Sequence, residues 1–136
     1  MYLKFNKIDK EVKTPSRAHK LDAGLDCFTS KEIILKPHVN TLIPLGFSCE
    51  IPNGYVGLLL PKSSMNLKGV NTRIGVIDAG YTGEIKAVLI NDTNEDITIL
   101  KDKGVCQLVV LPIAIAEMDE TISNERGNGG FGSTNR

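Results

Sequence analysis

The last eleven residues of the chain, 126–136, place four glycines behind Arg126, with one aromatic ring among the glycines and two hydroxyl side chains after them. Glycine lets the backbone come close to a ligand, and consecutive N–H groups can form a concave anion site. Arg126 can bind a phosphate through two parallel hydrogen bonds, and the Phe131 ring can stack on a base. We therefore interpret the segment as a tail that folds over a nucleotide with several phosphates. The alternative is a frayed, glycine-rich terminus.

A carboxylate follows a short apolar run in the middle of the chain. Asp78 comes directly after residues 75–77 and shortly before Gly80. A carboxylate in such a place is suited to act as a general base toward water. Tyr81 lies three residues further on, where its ring can pack against a sugar. The competing explanation is a hairpin turn that Asp78 stabilises.

A cation stands beside two hydroxyl groups after the apolar run 55–60, in the sequence Lys62, Ser63, Ser64. If a short helix begins here, its free N–H groups favour an anion. The alternative is a serine N-cap beside a solvated lysine.

Two further polar residues adjoin apolar sequence. Asp26 comes just after a glycine and before a predicted strand, and in isolation it is interpreted as a turn residue. Gln107 is the one polar side chain in the run 104–109, and a buried glutamine needs hydrogen-bond partners. Those partners can be the backbone, a ligand or the water shell of a metal.

The elements that must position these residues are short strands. Val-, Ile- and Leu-rich runs are separated by glycine and proline, a pattern typical of a β-sandwich or jelly roll. Alternation over 47–51, a turn at 52–54 and the run 55–60 predict a hairpin. Pro112 predicts that 105–116 is two strands or one kinked edge strand. Further predicted strands are 31–35, 83–90 and 96–100, and the predicted short helix is 63–68.

Composition narrows the class of protein. A chain of 136 residues is expected to form one domain. Its 16 basic and 16 acidic residues cancel, which argues against broad nucleic-acid binding. The start lacks the core of a signal peptide and no run has transmembrane length, so we expect a cytoplasmic protein without membrane contact. Cys27, Cys49 and Cys106 are expected to be buried thiols, as fits a reducing compartment.

Taken in order, these segments resemble the five motifs of the trimeric dUTP pyrophosphatase (dUTPase) family. The similarity spans about residues 23–134. The matching segments are Ala-Gly-Leu-Asp at 23–26, Pro-Lys-Ser-Ser-Met at 61–65, Gly-Val-Ile-Asp-Ala-Gly-Tyr-Thr-Gly-Glu-Ile at 75–85, Val-Cys-Gln-Leu-Val at 105–109, and Arg-Gly-Asn-Gly-Gly-Phe-Gly-Ser-Thr at 126–134.

The resemblance implies an all-β jelly roll, a distorted β-barrel, that assembles as a homotrimer with three active sites at its interfaces. It implies hydrolysis of dUTP to dUMP and pyrophosphate with Mg²⁺, by water attack on the α-phosphorus. That reaction keeps uracil out of DNA and supplies dUMP for dTMP synthesis. Residues 1–120 would form the jelly roll, and 121–136 a flexible arm that closes over a neighbouring subunit's active site. A regulatory protein partner is left open in case the source is a virus.

The resemblance also implies roles for individual residues. Asp78 would activate the attacking water, and Tyr81 would pack against the deoxyribose and exclude a ribose. The hairpin 70–77, including Ile77, would read the uracil edge with its backbone. Asp26 and Gln107 would act near Mg²⁺ through its waters, with Gln107 also contacting substrate. Phosphates would be held by Lys62, Ser63, Ser64, Arg126, Ser133 and Thr134, and the uracil would be covered by Phe131 with Gly130 and Gly132 beside it.

The chain departs from the family pattern at four positions. Lys62 stands where arginine is usual, and Ser64 where glycine is usual. Gly104 replaces a basic residue, and Asn135 replaces a final glycine. Since lysine is a point charge and not a planar fork, we expect altered phosphate affinity but not lost activity.

Two other functions fit parts of the pattern. A dCTP deaminase of the same fold would need a glutamate where this chain has Val88, and that family lacks the tail. A regulatory protein could keep the pocket and signal its occupancy to a partner. Pyrophosphate release from dUTP separates the three functions, because a deaminase releases ammonia and a binding protein releases neither.

Overall fold

The computed structural model describes residues 1–123 and 125–132. Within them the chain forms eleven strands and one short helix, which confirms the predicted all-β class. The strands are β1 (Phe5–Lys7), β2 (Leu25–Phe28), β3 (Ile33–Leu35), β4 (Asn40–Pro44), β5 (Phe47–Cys49), β6 (Tyr55–Leu60), β7 (Val70–Arg73), β8 (Gly75–Ile77), β9 (Lys86–Asn91), β10 (Ile97–Ile99) and β11 (Gly104–Pro112), and the helix is α1 (Ser63–Leu67).

Two sheets carry most of the fold, and their strands pair antiparallel. The larger sheet has the order β2-β11-β6-β8, and the smaller has the order β4-β9-β7. Two-stranded pairs, β1-β5 and β3-β10, complete the jelly roll. Side chains alternate between faces along a strand. Leu59, Leu89 and Leu108 are accordingly buried in one shared core.

The predicted hairpin over residues 47–60 is wrong. A turn is present, because the Tyr55 N–H donates to the Pro52 carbonyl at 3.1 Å. However, β5 pairs with β1, whereas β6 pairs with β11 and β8. The turn therefore carries the chain from one sheet to another. Alternation in sequence reports which face of a strand is buried, and it does not identify the partner strand.

Of the two alternatives for Pro112, the division into two strands is wrong, because residues 104–112 form one strand. Residues 104–108 pair with β2 and residues 107–112 with β6, so the end of β11 that carries Pro112 has a partner on one side only. Pro112 is its last residue, and the next N–H, of Ile113, donates to the Gly54 carbonyl at 2.9 Å. Proline lacks an N–H, so a strand can accept it at its end without losing an inner ladder bond.

The three cysteines are buried thiols, as predicted. Cys27 and Cys106 face each other across β2 and β11. A hydrogen bond with the Cys106 thiol, together with burial, raises the pKa of Cys27 well above its ordinary value. The Cys27 thiol is therefore not poised for reaction, since its thiolate is disfavoured.

No helix within residues 1–123 and 125–132 is long and apolar enough to span a membrane.

Candidate active site

Asp78 lies immediately after β8, at the start of a tight turn. Its neighbour Ile77 is buried and anchors the end of the strand, while Asp78 itself is exposed. The Tyr81 N–H donates to the Asp78 carbonyl at 3.1 Å, and Gly80 has a φ of 95°. That left-handed backbone is accessible to glycine at little cost. Asp78 thus belongs to a turn through its backbone, its side chain is exposed, and its role as a base stays a prediction.

Tyr81 is held in place by its hydroxyl. The O–H donates to the Glu84 carbonyl at 2.8 Å. A Cβ atom on Gly83 would be 2.6 Å from the Tyr81 hydroxyl oxygen, so glycine is required there for the ring to lie where it does. The sequence reasoning missed this role of Gly83, because only the folded turn brings the ring over it.

A pocket of about 210 Å³ lies between these residues and the backbone of β8. We call it the β8 pocket, and its lining includes Gly75, Val76, Ile77, Asp78 and Tyr81. It brings together the predicted base, the predicted sugar contact and part of the segment predicted to read uracil. The segment 70–77 is not a paired hairpin as predicted, since β7 pairs with β9 and β8 with β6.

A second group of predicted residues gathers at the far end of β6. The Lys62 Nζ atom is 2.8 Å from Asp26 Oδ2, and each side chain is 22% exposed. Asp26 and Gln107 occupy paired positions on β2 and β11. The Gln107 side-chain N–H₂ donates to the Pro61 carbonyl at 3.0 Å. The carboxylate, the ammonium and the amide therefore form one site on the sheet, and Asp26 is a strand residue, not a turn residue.

The start of α1 does not match the predicted serine N-cap beside a solvated lysine. The N-cap is Lys62, not a serine, and within the described residues no side chain caps it. Lys62 is not a solvated lysine, because it bonds to Asp26. Ser63 and Ser64 are exposed on the first turn of α1, which is anchored by buried Met65. We call Asp26, Lys62, Ser63, Ser64 and Gln107 the Lys62 cluster.

Gly24 supports this cluster and was not predicted to matter on its own. A Cβ atom on Gly24 would overlap the Oε1 atom of Gln107. The glycine before Asp26 thus makes room for the glutamine on the neighbouring strand. No signal in the sequence links residues 83 positions apart, so this requirement becomes visible only in the pairing of β2 with β11.

The β8 pocket and the Lys62 cluster are far apart within one chain. Ile77 pairs with Gly57, so Asp78 lies beside the start of β6. Lys62 follows the end of β6, about six residues further along, which corresponds to roughly 20 Å of extended chain. One chain alone therefore does not bring Asp78 to the cluster.

Most of the described part of the tail is exposed, and Gly129 and Gly130 are half-buried. Phe131 is fully exposed with a φ of 51°, and Gly132 has a φ of 81°. The Gly129 N–H donates to the Arg126 carbonyl at 3.2 Å, which forms a turn. Arg126, Gly130, Phe131 and Gly132 thus lie within one short stretch of turns. Ser133, Thr134 and Asn135 lie outside the described residues.

The donor chemistry suits a weakly held hard cation. Among residues 1–123 and 125–132, no three His, Cys, Asp or Glu side chains gather closely enough to hold a metal ion. The Lys62 cluster offers one carboxylate and one amide. Mg²⁺ commonly binds through one or two carboxylates, several waters and substrate phosphates. The residues present fit that mode of binding.

Comparisons with known proteins agree on one family. A dUTPase family model matches residues 10–135. A deoxyuridine 5'-triphosphate nucleotidohydrolase from Mycolicibacterium gilvum is 40% identical over 141 residues, covering 94% of this chain and 91% of the relative. The Staphylococcus bacteriophage 80alpha dUTPase with dUPNHPP superposes with a TM-score of 0.87 at 31% identity, over 97% of each chain.

Two solved phage structures carry further descriptions. The 80alpha structure is described with the statement that phage dUTPases control transfer of virulence genes by a proto-oncogenic G protein-like mechanism. A mutant dUTPase from phage phi11 of S. aureus, with a TM-score of 0.81 and 25% identity, covers 93% of this chain and 99% of its own. It is described as revealing the coordination of a structural Mg(II) ion.

Proposed function

The chain belongs to the dUTPase family and hydrolyses dUTP, and we propose that Asp78 directs the water that attacks the α-phosphorus. The observation that carries this proposal is the exposed Asp78 carboxylate in the lining of the β8 pocket, beside the fixed ring of Tyr81. A carboxylate in reach of a water can accept its proton as the new bond forms. The products are then dUMP and pyrophosphate. Removal of dUTP limits uracil in DNA, and the dUMP formed is available for dTMP synthesis.

The β8 pocket receives the nucleoside in this proposal. Tyr81 packs against the deoxyribose and leaves no space for a 2′-hydroxyl. The backbone near Ile77 reads the uracil edge, because strand ends expose N–H and C=O groups that the ladder does not use. A hydrogen-bonding site of this kind discriminates strongly, since a wrong base leaves buried polar groups unpaired.

The Lys62 cluster receives the triphosphate. Lys62 supplies a positive charge, and Ser63 and Ser64 supply hydroxyl donors at the start of α1. Asp26 and Gln107 would hold Mg²⁺ through its waters, and the phi11 relative is described as coordinating a structural Mg(II) ion. Bound Mg²⁺ would neutralise charge on the phosphate oxygens. Phosphoryl transfer depends mainly on such neutralisation and on alignment.

A homotrimer would join the two half-sites. On the outer face of the larger sheet, Val76, Leu58 and Val109 form one row across three strands. Val76 is 62% exposed and Leu111, on the same face, is 41% exposed. Asp26 and Gln107 lie on this face at its other end. An apolar face of this kind favours association. A neighbour covering it could bring its own Asp78 to the Lys62 cluster.

The glycine-rich arm completes the site. We assign Arg126 to the outer phosphates and Phe131, flanked by Gly130 and Gly132, to a cover over the uracil. We also assign Ser133 and Thr134 to the phosphates. Residues 121–136 would act as an arm distinct from the body at 1–120, reaching a neighbouring subunit. Closure over the substrate excludes water and aligns the phosphates. The buried thiols fit our assignment of the enzyme to the cytoplasm.

The deciding experiment is a nucleotide panel assayed for pyrophosphate, with light scattering to measure the assembled mass. We expect rapid release from dUTP, slow release from dTTP, dCTP and UTP, and the mass of three chains. Ammonia release from dCTP would instead identify a deaminase. Binding of dUTP without product would identify a binding protein.

The similarity to the 80alpha enzyme favours one additional function, nucleotide-dependent signalling to a protein partner. The test is a pull-down with this chain bound to non-hydrolysable dUTP, compared with the nucleotide-free chain. A partner captured only in one of the two states would support the regulatory function, and equal capture would contradict it.

A further inference from the structure

The ammonium of Lys62 occupies the space that a side chain at position 104 would fill. A Cβ atom built on Gly104 would be 2.8 Å from Lys62 Nζ and 3.6 Å from its Cδ and Cε atoms. Gly104 is half-buried at the first position of β11, and its φ lies outside the left-handed region. The backbone conformation therefore does not require glycine here, whereas the position of the ammonium does.

The same ammonium bonds to a carboxylate that is itself fixed. Lys62 Nζ is 2.8 Å from Asp26 Oδ2, and both side chains are largely buried. The Asp26 N–H donates to the Ser16 carbonyl at 2.8 Å, and the Ser16 N–H donates to the Asp26 carbonyl at 3.2 Å. Asp26 also belongs to β2, which pairs with β11. The backbone of Asp26 is thus fixed, and its short side chain holds the longer and more flexible side chain of Lys62.

We propose that Gly104 is a positioning residue for the triphosphate, because its missing side chain lets Asp26 hold the Lys62 ammonium in one place. An ammonium has three N–H donors, so the bond to Asp26 leaves two for phosphate oxygens. A lysine that is already held loses less conformational freedom when the ligand binds. The inference rests on the proposed function, in which Lys62 contacts phosphates.

A structural explanation of Gly104 predicts a different result. The register between β2 and β11 shifts between Gly104 and Cys106, and glycine often marks such a bulge. If the bulge alone requires glycine, alanine at 104 would lower the stability of the fold and would not act through Lys62. The two explanations are separated by measuring ligand affinity and stability on the same variants.

The first variant is Gly104→Ala, with the affinity for non-hydrolysable α,β-imido-dUTP measured by titration calorimetry with Mg²⁺. Releasing one held side chain corresponds to about threefold to tenfold in affinity. We expect Kd and KM to rise by that factor while kcat stays within about twofold. Affinity for deoxyuridine, which has no phosphate, should not change. The melting temperature should be equal or higher, since alanine restricts the unfolded chain.

The second arm is a double-mutant cycle with Lys62→Met, which removes the ammonium and keeps a stem of similar length. In that background Gly104→Ala should change Kd by less than about 1.5-fold, because the group it displaces is gone. The matched control is Lys103→Met, which removes the exposed charge next to Gly104. In the Lys103→Met background the full effect of Gly104→Ala should persist.

The proposal would be overturned if Gly104→Ala bound the analogue with wild-type affinity. It would also be overturned if Gly104→Ala lowered the affinity equally in the wild-type and Lys62→Met backgrounds. If Gly104→Ala alone failed to fold while the double variant folded, the clash with the ammonium would be shown directly. Failure of both to fold would assign Gly104 to the bulge and overturn the proposal. A wild-type chain without dUTP turnover would contradict the proposed function, whereas the Kd values would still decide the role of Gly104.

Discussion

Asp78 combines two properties at the residue scale that are seldom found together. Its backbone is fixed by the buried side chain of Ile77 and by the turn bond from the Tyr81 N–H. Its carboxylate is nevertheless exposed in the lining of the β8 pocket. A base needs a fixed position and access to water, and this turn provides both.

Asp78→Asn tests that assignment directly. Asparagine keeps the volume and removes the proton acceptor, so kcat should fall by about 10²- to 10⁴-fold while binding of the non-hydrolysable analogue persists. The measurement is pyrophosphate release together with a calorimetric Kd. Asp92→Asn, which removes an exposed carboxylate elsewhere, is the control and should keep wild-type kcat. Near-normal turnover of Asp78→Asn would remove Asp78 from the mechanism.

Gly83→Ala tests the sugar contact without touching the tyrosine. The new Cβ would be 2.6 Å from the Tyr81 hydroxyl oxygen, so the ring must move. Tyr81 is 47% exposed, so its ring can turn toward solvent, and we expect loss of the sugar contact to lower kcat/KM for dUTP by about tenfold or more. The ratio of dUTP to UTP turnover should also fall, as it should in Tyr81→Ala. An unchanged ratio in both variants would show that the ring does not select the sugar.

At the scale of elements, the sequence predicted where strands lie better than how they pair. β6 was placed correctly and the predicted strand 83–90 overlaps β9, because apolar runs report burial, which is a local property. The pairing of β5 with β1 joins segments about forty residues apart, and no local signal encodes it. Position along the chain was predictable, whereas the partner depends on which apolar faces meet across the whole core.

The same limit applies to the candidate site. The types of Asp26, Lys62 and Gln107 indicated chemistry, but their contacts could not be read from spacing. Lys62 and Gly104 were treated as two separate departures from the family pattern. In the structure the lysine ammonium lies against the glycine, so the two changes belong to one arrangement.

The segment after β1 gives a prediction for pH dependence. The Ser30 hydroxyl donates to Asp9 at 2.5 Å and the Glu11 N–H at 2.9 Å, and these bonds lower the pKa of Asp9. Because the pKa of Asp9 is lower in the folded state, its charged carboxylate stabilises the fold at pH values above the unfolded-state pKa, about 3.9. This stabilisation is lost as the pH falls through the folded-state pKa.

Asp9→Asn should therefore lower the melting temperature at neutral pH. The difference from the wild type should shrink as the pH falls through the lowered folded-state pKa of Asp9, because the wild-type carboxylate then also loses its charge. Thermal unfolding followed by circular dichroism across this range provides the measurement. Asp92→Asn again serves as control. A difference that does not vary with pH would assign the effect to packing.

At the scale of the whole molecule, the outer face of the larger sheet predicts the assembly. Val76→Asp places a charge on a side chain that is 62% exposed in one chain, so the fold should survive. If the face is buried between subunits, the trimer should dissociate and activity should be lost. Light scattering and circular dichroism distinguish these effects. Leu21→Asp, at a site that is 93% exposed, is the matched control and should remain trimeric and active.

Mixing two inactive variants tests whether each site draws on two chains. Asp78→Asn lacks the base, and Lys62→Met lacks the ammonium at the other end of β6. If the β8 pocket of one subunit works with the Lys62 cluster of another, random hybrids should contain about a quarter of intact sites. The measurement is dUTP turnover after unfolding and refolding the variants together. No gain over the separately refolded variants would place both half-sites in one chain.

Asp78 and Lys62 lie at opposite ends of β6, and this separation has a consequence for how much enzyme a cell must make. When neither half of a site works alone, catalysis follows the concentration of assembled complexes, not of chains. Specific activity should then be constant at high protein concentration and should collapse on dilution, with an order in protein above one. Expression level would act on the dUTP pool as a threshold instead of a proportional control.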